Sequence, residues 1–183
     1  MYAIISELNP AASADVNAYW RKLSRICGLK AIYHMPTPHL TWLVSQEVDV
    51  HSAALIISQI ASQEDSISSH TSGLGIFTGE HPVLYLPIVK SQQMITLHQT
   101  IWNLVKPMTK TPNDFYSPKA WVPHITLALN DLTNDNLACA VNSIAFEEIE
   151  LKITIDNLSF AEYEKEIAGE IIRRFNFQHK VRK

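Results

Sequence analysis

The feature that bears hardest on this chain is a four-residue pattern written twice. Pro38-His39-Leu40-Thr41 and Pro123-His124-Ile125-Thr126 share the order Pro, His, aliphatic, Thr, and their histidines lie 85 positions apart in 183 residues. Each copy stands at the same point of a repeated succession of elements. Tyr2 to Leu8 is a short apolar strand closed by Asn9-Pro10. Ser13 to Ile26 then carries Val16, Tyr19, Trp20, Leu23 and Ile26 at helical spacing, with Ser13 as N-cap and Gly28 as the stop. Met35-Pro36-Thr37-Pro38 forces extended backbone into the strand His39 to Val44. Val50 to Ser62 reads as a helix, and Ser66 to Thr78 as a strand broken at Gly73 and Gly75.

At Val83 the order begins again. Val83 to Val89 is a strand, Ser91 caps a helix bearing Leu97, His98, Ile101, Trp102 and Val105, and the loop Lys106 to Lys119 leads into the second motif strand, His124 to Leu129. Thr133 to Phe146 forms a further helix. Ile149 to Phe160 and Ile167 to Phe177 pair as a C-terminal hairpin joined through Tyr163 to Glu166. Trp20 and Trp102 occupy equivalent helices 82 positions apart, so the second connection is about three residues longer. The reading is one domain of two pseudo-symmetric lobes, with repeat units of about 1–78 and 79–160 followed by the hairpin.

Side chains at i and i+2 of a strand share a face. His39 therefore projects with Thr41, and His124 with Thr126, while Leu40, Trp42 and Val44, or Ile125, Leu127 and Leu129, point to a helix-covered side. Twofold symmetry lets the two histidines face each other across one cleft. Two imidazoles and two hydroxyls suit phosphodiester chemistry without a metal: a neutral His takes a proton from the nucleophile, and a protonated one gives a proton to the departing oxygen. The hydroxyls hydrogen-bond the nonbridging phosphate oxygens. A single His-x-Thr is ordinary surface or core sequence; two copies at equivalent points of a duplicated unit are not.

Composition narrows the class. With 46% hydrophobic residues the chain has material for a sizeable core, and 15 Lys plus Arg against 18 Asp plus Glu give a net charge of −3. That excludes a protein held on long duplexes by many phosphate contacts. The basic C-terminus, Arg173, Arg174, Lys180, Arg182 and Lys183, reads as a solvated edge and a frayed tail. Cys27 and Cys139 lie far apart and outside any Cys-x-x-Cys pattern, so they are expected as free, buried small hydrophobes. With no basic n-region at the N-terminus and no apolar run long enough for a membrane span, a reduced, cytoplasmic monomer is expected. His51, His70, His81, His98 and His179 show no metal-ligand spacing, so neither a metal site nor a cofactor is expected. Near the second motif, Tyr116, Phe115 and Trp121 offer rings for stacking on a base and Lys119 a charge for a phosphate; Tyr33 and His34 hold a similar place before the first.

His39-Leu40-Thr41-Trp42 and His124-Ile125-Thr126-Leu127 resemble the paired His-x-(Thr or Ser)-hydrophobic motifs of the 2H phosphoesterase superfamily, in particular its 2′-5′ RNA ligase and RNA 2′,3′-cyclic phosphodiesterase branch. The resemblance covers nearly the whole chain. It implies a bilobal α+β fold with an antiparallel sheet in each lobe, helices on the outer faces and a V-shaped cleft between. It also implies His39 and His124 as acid and base and Thr41 and Thr126 as phosphate ligands. The activity implied is metal-independent opening of a 2′,3′-cyclic phosphate on a nucleotide or RNA 3′ end, with His124 as the base for water and His39 as the acid for the leaving 2′-oxygen. The alternatives are 2′-5′ RNA ligation or 2′-5′ oligonucleotide cleavage, in which attack by a hydroxyl exchanges the two roles, and an RNA-end binding module with little turnover. Where RNA-directed members of that group often carry basic residues, this chain has Leu43, Val122 and Leu129, which points to a small or end-group substrate.

Overall fold

The computed structural model describes residues 1–163 and 169–178. Its elements are, in order, β1 (Tyr2–Glu7), α1 (Pro10–Cys27), β2 (His39–Val48), α2 (Val50–Gln63), β3 (Ile67–His70), β4 (Gly75–Phe77), β5 (Val83–Pro87), α3 (Gln92–Val105), β6 (Thr109–Pro112), β7 (His124–Ala128), α4 (Asn134–Ile144), β8 (Lys152–Ile155), β9 (Asn157–Glu162) and β10 (Glu170–Asn176). All strand pairs are antiparallel. One sheet runs β10-β9-β1-β2-β6, a second runs β4-β5-β7, and β3 pairs with β8 alone. This is the α+β arrangement with a sheet on either side of a cleft.

Local signals set most of the boundaries. Gly28 closes α1 in the left-handed region at φ 75°, where a side chain would be strained. The Ser91 hydroxyl accepts the Met94 amide at the start of α3, and Thr133 and Asn136 form a reciprocal capping box on α4. α1 begins earlier than its hydroxyl suggests. Pro10 occupies the first turn, where a missing N–H costs nothing, and Ser13 instead donates its hydroxyl to the Leu8 carbonyl.

The helices cross over between the halves of the chain. α1 packs on β7 and on α4, whereas α3 packs on β2 beside α2. The apolar stripes of α1 and α3 are thus each buried against a motif strand of the other half, β7 and β2. Val16, Trp20, Leu97 and Ile101 accordingly share one continuous core with Leu40, Leu86 and Ile125.

Three expectations are corrected. The stretch from Ser66 to Thr78 is two strands in different sheets, β3 and β4, separated by a turn at Gly73 with φ 70°. The stretch from Ile149 to Phe160 likewise divides at Asp156 into β8 and β9, because its two halves meet different partners. The loop from Lys106 to Lys119 holds an edge strand, β6, whose polar sequence gives no strand signal and which exists only by pairing with β2. The hairpin is present as β9 and β10, while its connection from Glu164 to Glu166 lies outside the described residues, as does His179.

The cysteines differ most from expectation. Cys27, the last residue of α1, and Cys139 in α4 are bonded to each other, with 5.8 Å between their Cα atoms and 112 positions between them in sequence. Spacing alone hides this pair, because only the docking of α1 on α4 brings the thiols together. The bond removes the expectation of two free thiols, and with it the argument for a reducing compartment. No helix among the described residues is long and apolar enough to cross a membrane. A cross-link closing so long a loop constrains the unfolded chain strongly. The double variant Cys27→Ser, Cys139→Ser is therefore expected to lose about 2–4 kcal/mol of stability relative to the oxidised protein in denaturant melts, and intact mass under non-reducing conditions to show the two hydrogens missing.

Candidate active site

Both motifs build their histidine in the same way. In each, proline stands immediately before the histidine and holds the chain extended, which brings the carbonyl two residues upstream beside the imidazole. His39 Nδ1 donates to the Thr37 carbonyl at 2.7 Å, and His124 Nδ1 donates to the Val122 carbonyl at 2.7 Å. A carbonyl can only accept, so this bond fixes the proton on Nδ1 and leaves Nε2 as the nitrogen free for proton transfer. His39, Thr41, His124 and Thr126 all line one cleft of about 620 Å3.

A bulge in each motif strand decides what stands next to them. In β2 the register against β1 slips after Thr41, so that Thr41 pairs with Ile5 and Leu43 with Ile4; in β7 the register against β5 slips after Thr126, pairing it with Tyr85 and Ala128 with Leu84. Trp42 and Leu127 are the extra residues, again 85 positions apart. Strict alternation puts Val44 and Leu129 on the helix-covered face, and this is corrected: the slip turns both into the cleft, while Leu43 goes into the core at 1% exposure. Of the three residues read as replacing cations, Val122 and Leu129 line the cleft and Leu43 does not.

Burial depresses both imidazoles. For His39 desolvation is the largest effect, opposed by the bond to Thr37; a charge on His124 depresses it further and Glu7 raises it. For His124 desolvation again dominates, opposed by the bond to Val122. Much of the burial of His124 comes from two rings. Phe77 meets it edge-on at 4.9 Å and Tyr85 lies 5.1 Å away, the two rings being stacked on each other at 4.1 Å. Tyr85 fits because Gly75, across the sheet from it, has no side chain: a Cβ there would lie 2.4 Å from the phenol ring.

The other wall carries two tyrosines. The Tyr116 hydroxyl hydrogen-bonds the Thr41 side chain, and burial raises its pKa, so it stays a neutral phenol. Tyr163 also lines the cleft, and its pKa is pushed up by burial and by Tyr116. Its ring lies against Gly169, where a Cβ would stand 2.6 Å away. Neither phenol titrates near neutrality, so both act as hydrogen-bonding groups.

Trp121 contributes to the cleft wall but is only 4% exposed. It stacks on His98 at 3.9 Å and on Trp42 at 5.2 Å, its indole N–H donates to the Thr41 carbonyl at 2.9 Å, and Lys90 Nζ donates to its carbonyl at 2.6 Å. His98 covers one face of its ring, Trp42 lies beside that stack at 6.4 Å from His98, and the indole N–H bond ties the ring to the first motif. His98 completes that layer by bonding the Tyr116 carbonyl at 3.0 Å; burial outweighs this bond and depresses its pKa to about 4. Phe115 stands at the rim, 79% exposed, whereas Lys119, Tyr33 and His34 do not line the cleft. Phe77, Tyr85, Val44 and Tyr163 are neighbours that sequence reading missed. Tyr85 was accessible in principle, since pairing β5 with β7 places it opposite Thr126; Tyr163 had no local signal. Among the described residues no group of three or more metal-donor side chains converges.

Residues 9–166 match the model of the 2′-5′ RNA ligase superfamily. The chain belongs to that family of 2H phosphoesterases. No curated protein matches the chain by sequence. Among solved structures, a phosphoesterase aligns with a TM-score of 0.61 at 14% identity, covering 97% of this chain and 98% of its own. Escherichia coli LigT complexed with 3′-AMP aligns with a TM-score of 0.53 at 9% identity over 97% and 98%. Kluyveromyces marxianus Usb1 with uridine monophosphate aligns with a TM-score of 0.52 at 10% identity over 96% and 97%. At these identities the likeness is one of fold.

The aromatic shielding of His124 is directly measurable. Phe77→Ala opens the imidazole to water and is expected to raise its pKa toward the ordinary 6.5, by NMR titration of the ring resonances. A value unchanged in the folded variant contradicts the assigned cause.

Proposed function

We propose that this protein is a phosphodiesterase that opens a 2′,3′-cyclic phosphate, on a nucleotide or an RNA 3′ end, by paired histidine acid–base catalysis. The observation that carries the reading is the duplicated site: two imidazoles, each with Nδ1 held by the same upstream carbonyl bond, line one cleft with two threonines. A binding module has no need of two groups prepared for proton transfer. The 3′-AMP held by LigT supports the direction of cleavage, since it is the monophosphate left when the 2′-oxygen departs.

In this mechanism the Thr41 and Thr126 hydroxyls donate to nonbridging oxygens and hold the phosphorus in place. His124 Nε2 takes a proton from water as the water oxygen bonds to phosphorus. The bond from phosphorus to the 2′-oxygen breaks, and that oxygen takes a proton from His39 Nε2, leaving a 3′-phosphomonoester and a free 2′-hydroxyl. Tyr116, through its contact with Thr41, orients the first phosphate ligand.

His39→Ala and His124→Ala are each expected to reduce hydrolysis of a nucleoside 2′,3′-cyclic phosphate by about 100-fold or more in EDTA, with the circular dichroism spectrum unchanged. Full activity in either variant, or a strict metal requirement, would falsify the mechanism. The pH dependence is a second test. The reactive state has one imidazole neutral and one protonated, and both pKa values in the free enzyme are depressed. The bell-shaped profile of kcat/KM is therefore expected to peak below pH 6.5, with both limbs belonging to the coupled pair. The profile of kcat is expected to lie at higher pH, because a bound phosphate anion favours the protonated forms. A maximum of kcat/KM above neutrality contradicts this reading.

A further inference from the structure

We infer that the cleft is specific for a small cyclic phosphodiester whose only charge is on the reacting phosphate and whose remainder is one uncharged aromatic body, such as a single nucleoside, and that it discriminates against a polynucleotide end. The inference rests on the phosphodiesterase reading and narrows its substrate.

The first observation is electrostatic. No lysine or arginine lines the cleft among the described residues. Three nearby cations are engaged elsewhere: Arg174 with Glu7 at 3.2 Å and Asp156 at 3.5 Å, Lys90 with the Trp121 carbonyl behind the wall, and the N-terminal ammonium of Met1, which lines the cleft, with the Tyr163 carbonyl at 3.1 Å. A polynucleotide brings a phosphate for every further nucleotide, and binding it draws on cations placed to replace its counterions. A net charge of −3 adds no general attraction.

The second observation is the identity of the residues that the twin bulges turn inward. Val44 and Leu129 stand three positions beyond the two motif threonines, at equivalent points of the two halves. They are the cleft-facing positions nearest the phosphate ligands along each strand, and both are aliphatic. With Phe77, Val122 and Met35 they make the walls beside the paired histidines and threonines mainly apolar, the other polar lining coming from Thr78, His81, Asn113, Tyr116 and Tyr163. Such a site, about 620 Å3 with a few convergent polar groups, is of the kind that encloses one small molecule. An aromatic body between these walls is favoured by desolvation, whereas a second phosphate there meets no lysine or arginine.

The test compares adenosine 2′,3′-cyclic phosphate with a trinucleotide ending in a 2′,3′-cyclic phosphate, by kcat/KM at about 50 and about 500 mM KCl, the range over which phosphate contacts reveal themselves. For the wild type the mononucleotide is expected to be used as well as the trinucleotide or better, and the ratio of the two to change by less than about two-fold across the salt range. Val44→Arg is expected to raise the trinucleotide's relative efficiency, and to make it fall about five-fold over that range, the slope of one newly neutralised phosphate on a single strand. Leu129→Arg serves as the independent variant at the opposite wall. A wild-type preference of about ten-fold or more for the trinucleotide, lost in high salt, overturns the inference and leaves the phosphodiesterase reading standing. Ratios unchanged in both folded arginine variants overturn it too. Turnover of neither substrate by the wild type overturns the phosphodiesterase reading, and this inference with it.

Discussion

Two indole N–H groups hold the site together. Trp20, from the first half of the chain, donates to the carbonyl of Thr126 at 3.0 Å, and Trp121, from the second half, donates to the carbonyl of Thr41 at 2.9 Å. Each threonine is the residue before a bulge, where the ladder is interrupted and the strand bends. The donors come from the opposite half of the chain, so each motif is pinned by the half that does not contain it. Both indoles are almost fully buried, and removing a ring of that size from a core costs about 3–5 kcal/mol in addition to stranding the carbonyl.

From that cross-link the rest of the site follows. The bulges turn Val44 and Leu129 inward, which makes the cleft aliphatic just beyond Thr41 and Thr126. Trp121 stacks flat on His98 as its N–H reaches the Thr41 carbonyl, and His98 in turn bonds the carbonyl of Tyr116, so the phenol that meets Thr41 is positioned by the same layer. Burial has a chemical consequence as well. The rings packed around His124, and the desolvation of His39, lower the affinity of both imidazoles for a proton in the empty cleft, and a phosphate anion restores it. Under the proposed mechanism, protonation of His39 is thereby tied to the arrival of the substrate.

The parts of the site that were legible before the structure are those written locally. Proline before histidine, threonine two residues on, and a strand of alternating pattern are enough to put His39 with Thr41 and His124 with Thr126, and the duplication is enough to set the pairs against each other. Caps at Ser91 and Thr133 and the stop at Gly28 were readable for the same reason, since a helix end is satisfied by residues a few positions away. The packing of Trp121 against His98 and Trp42 leaves no local mark, because those rings come from α3 and β2.

The sequence by itself determined the paired motif, the two-lobed α+β plan and the low positive charge. All three follow from residue identity and short-range periodicity. Only the tertiary structure decided that β2 and β7 are bulged, that Cys27 and Cys139 are joined, that Glu7 stands beside His39 and not His124, and that Tyr163 closes the cleft against Gly169. Each of these depends on which distant strand or helix a residue meets. A register slip or a helix docking leaves no mark in the local pattern, because the physical partner lies elsewhere in the chain.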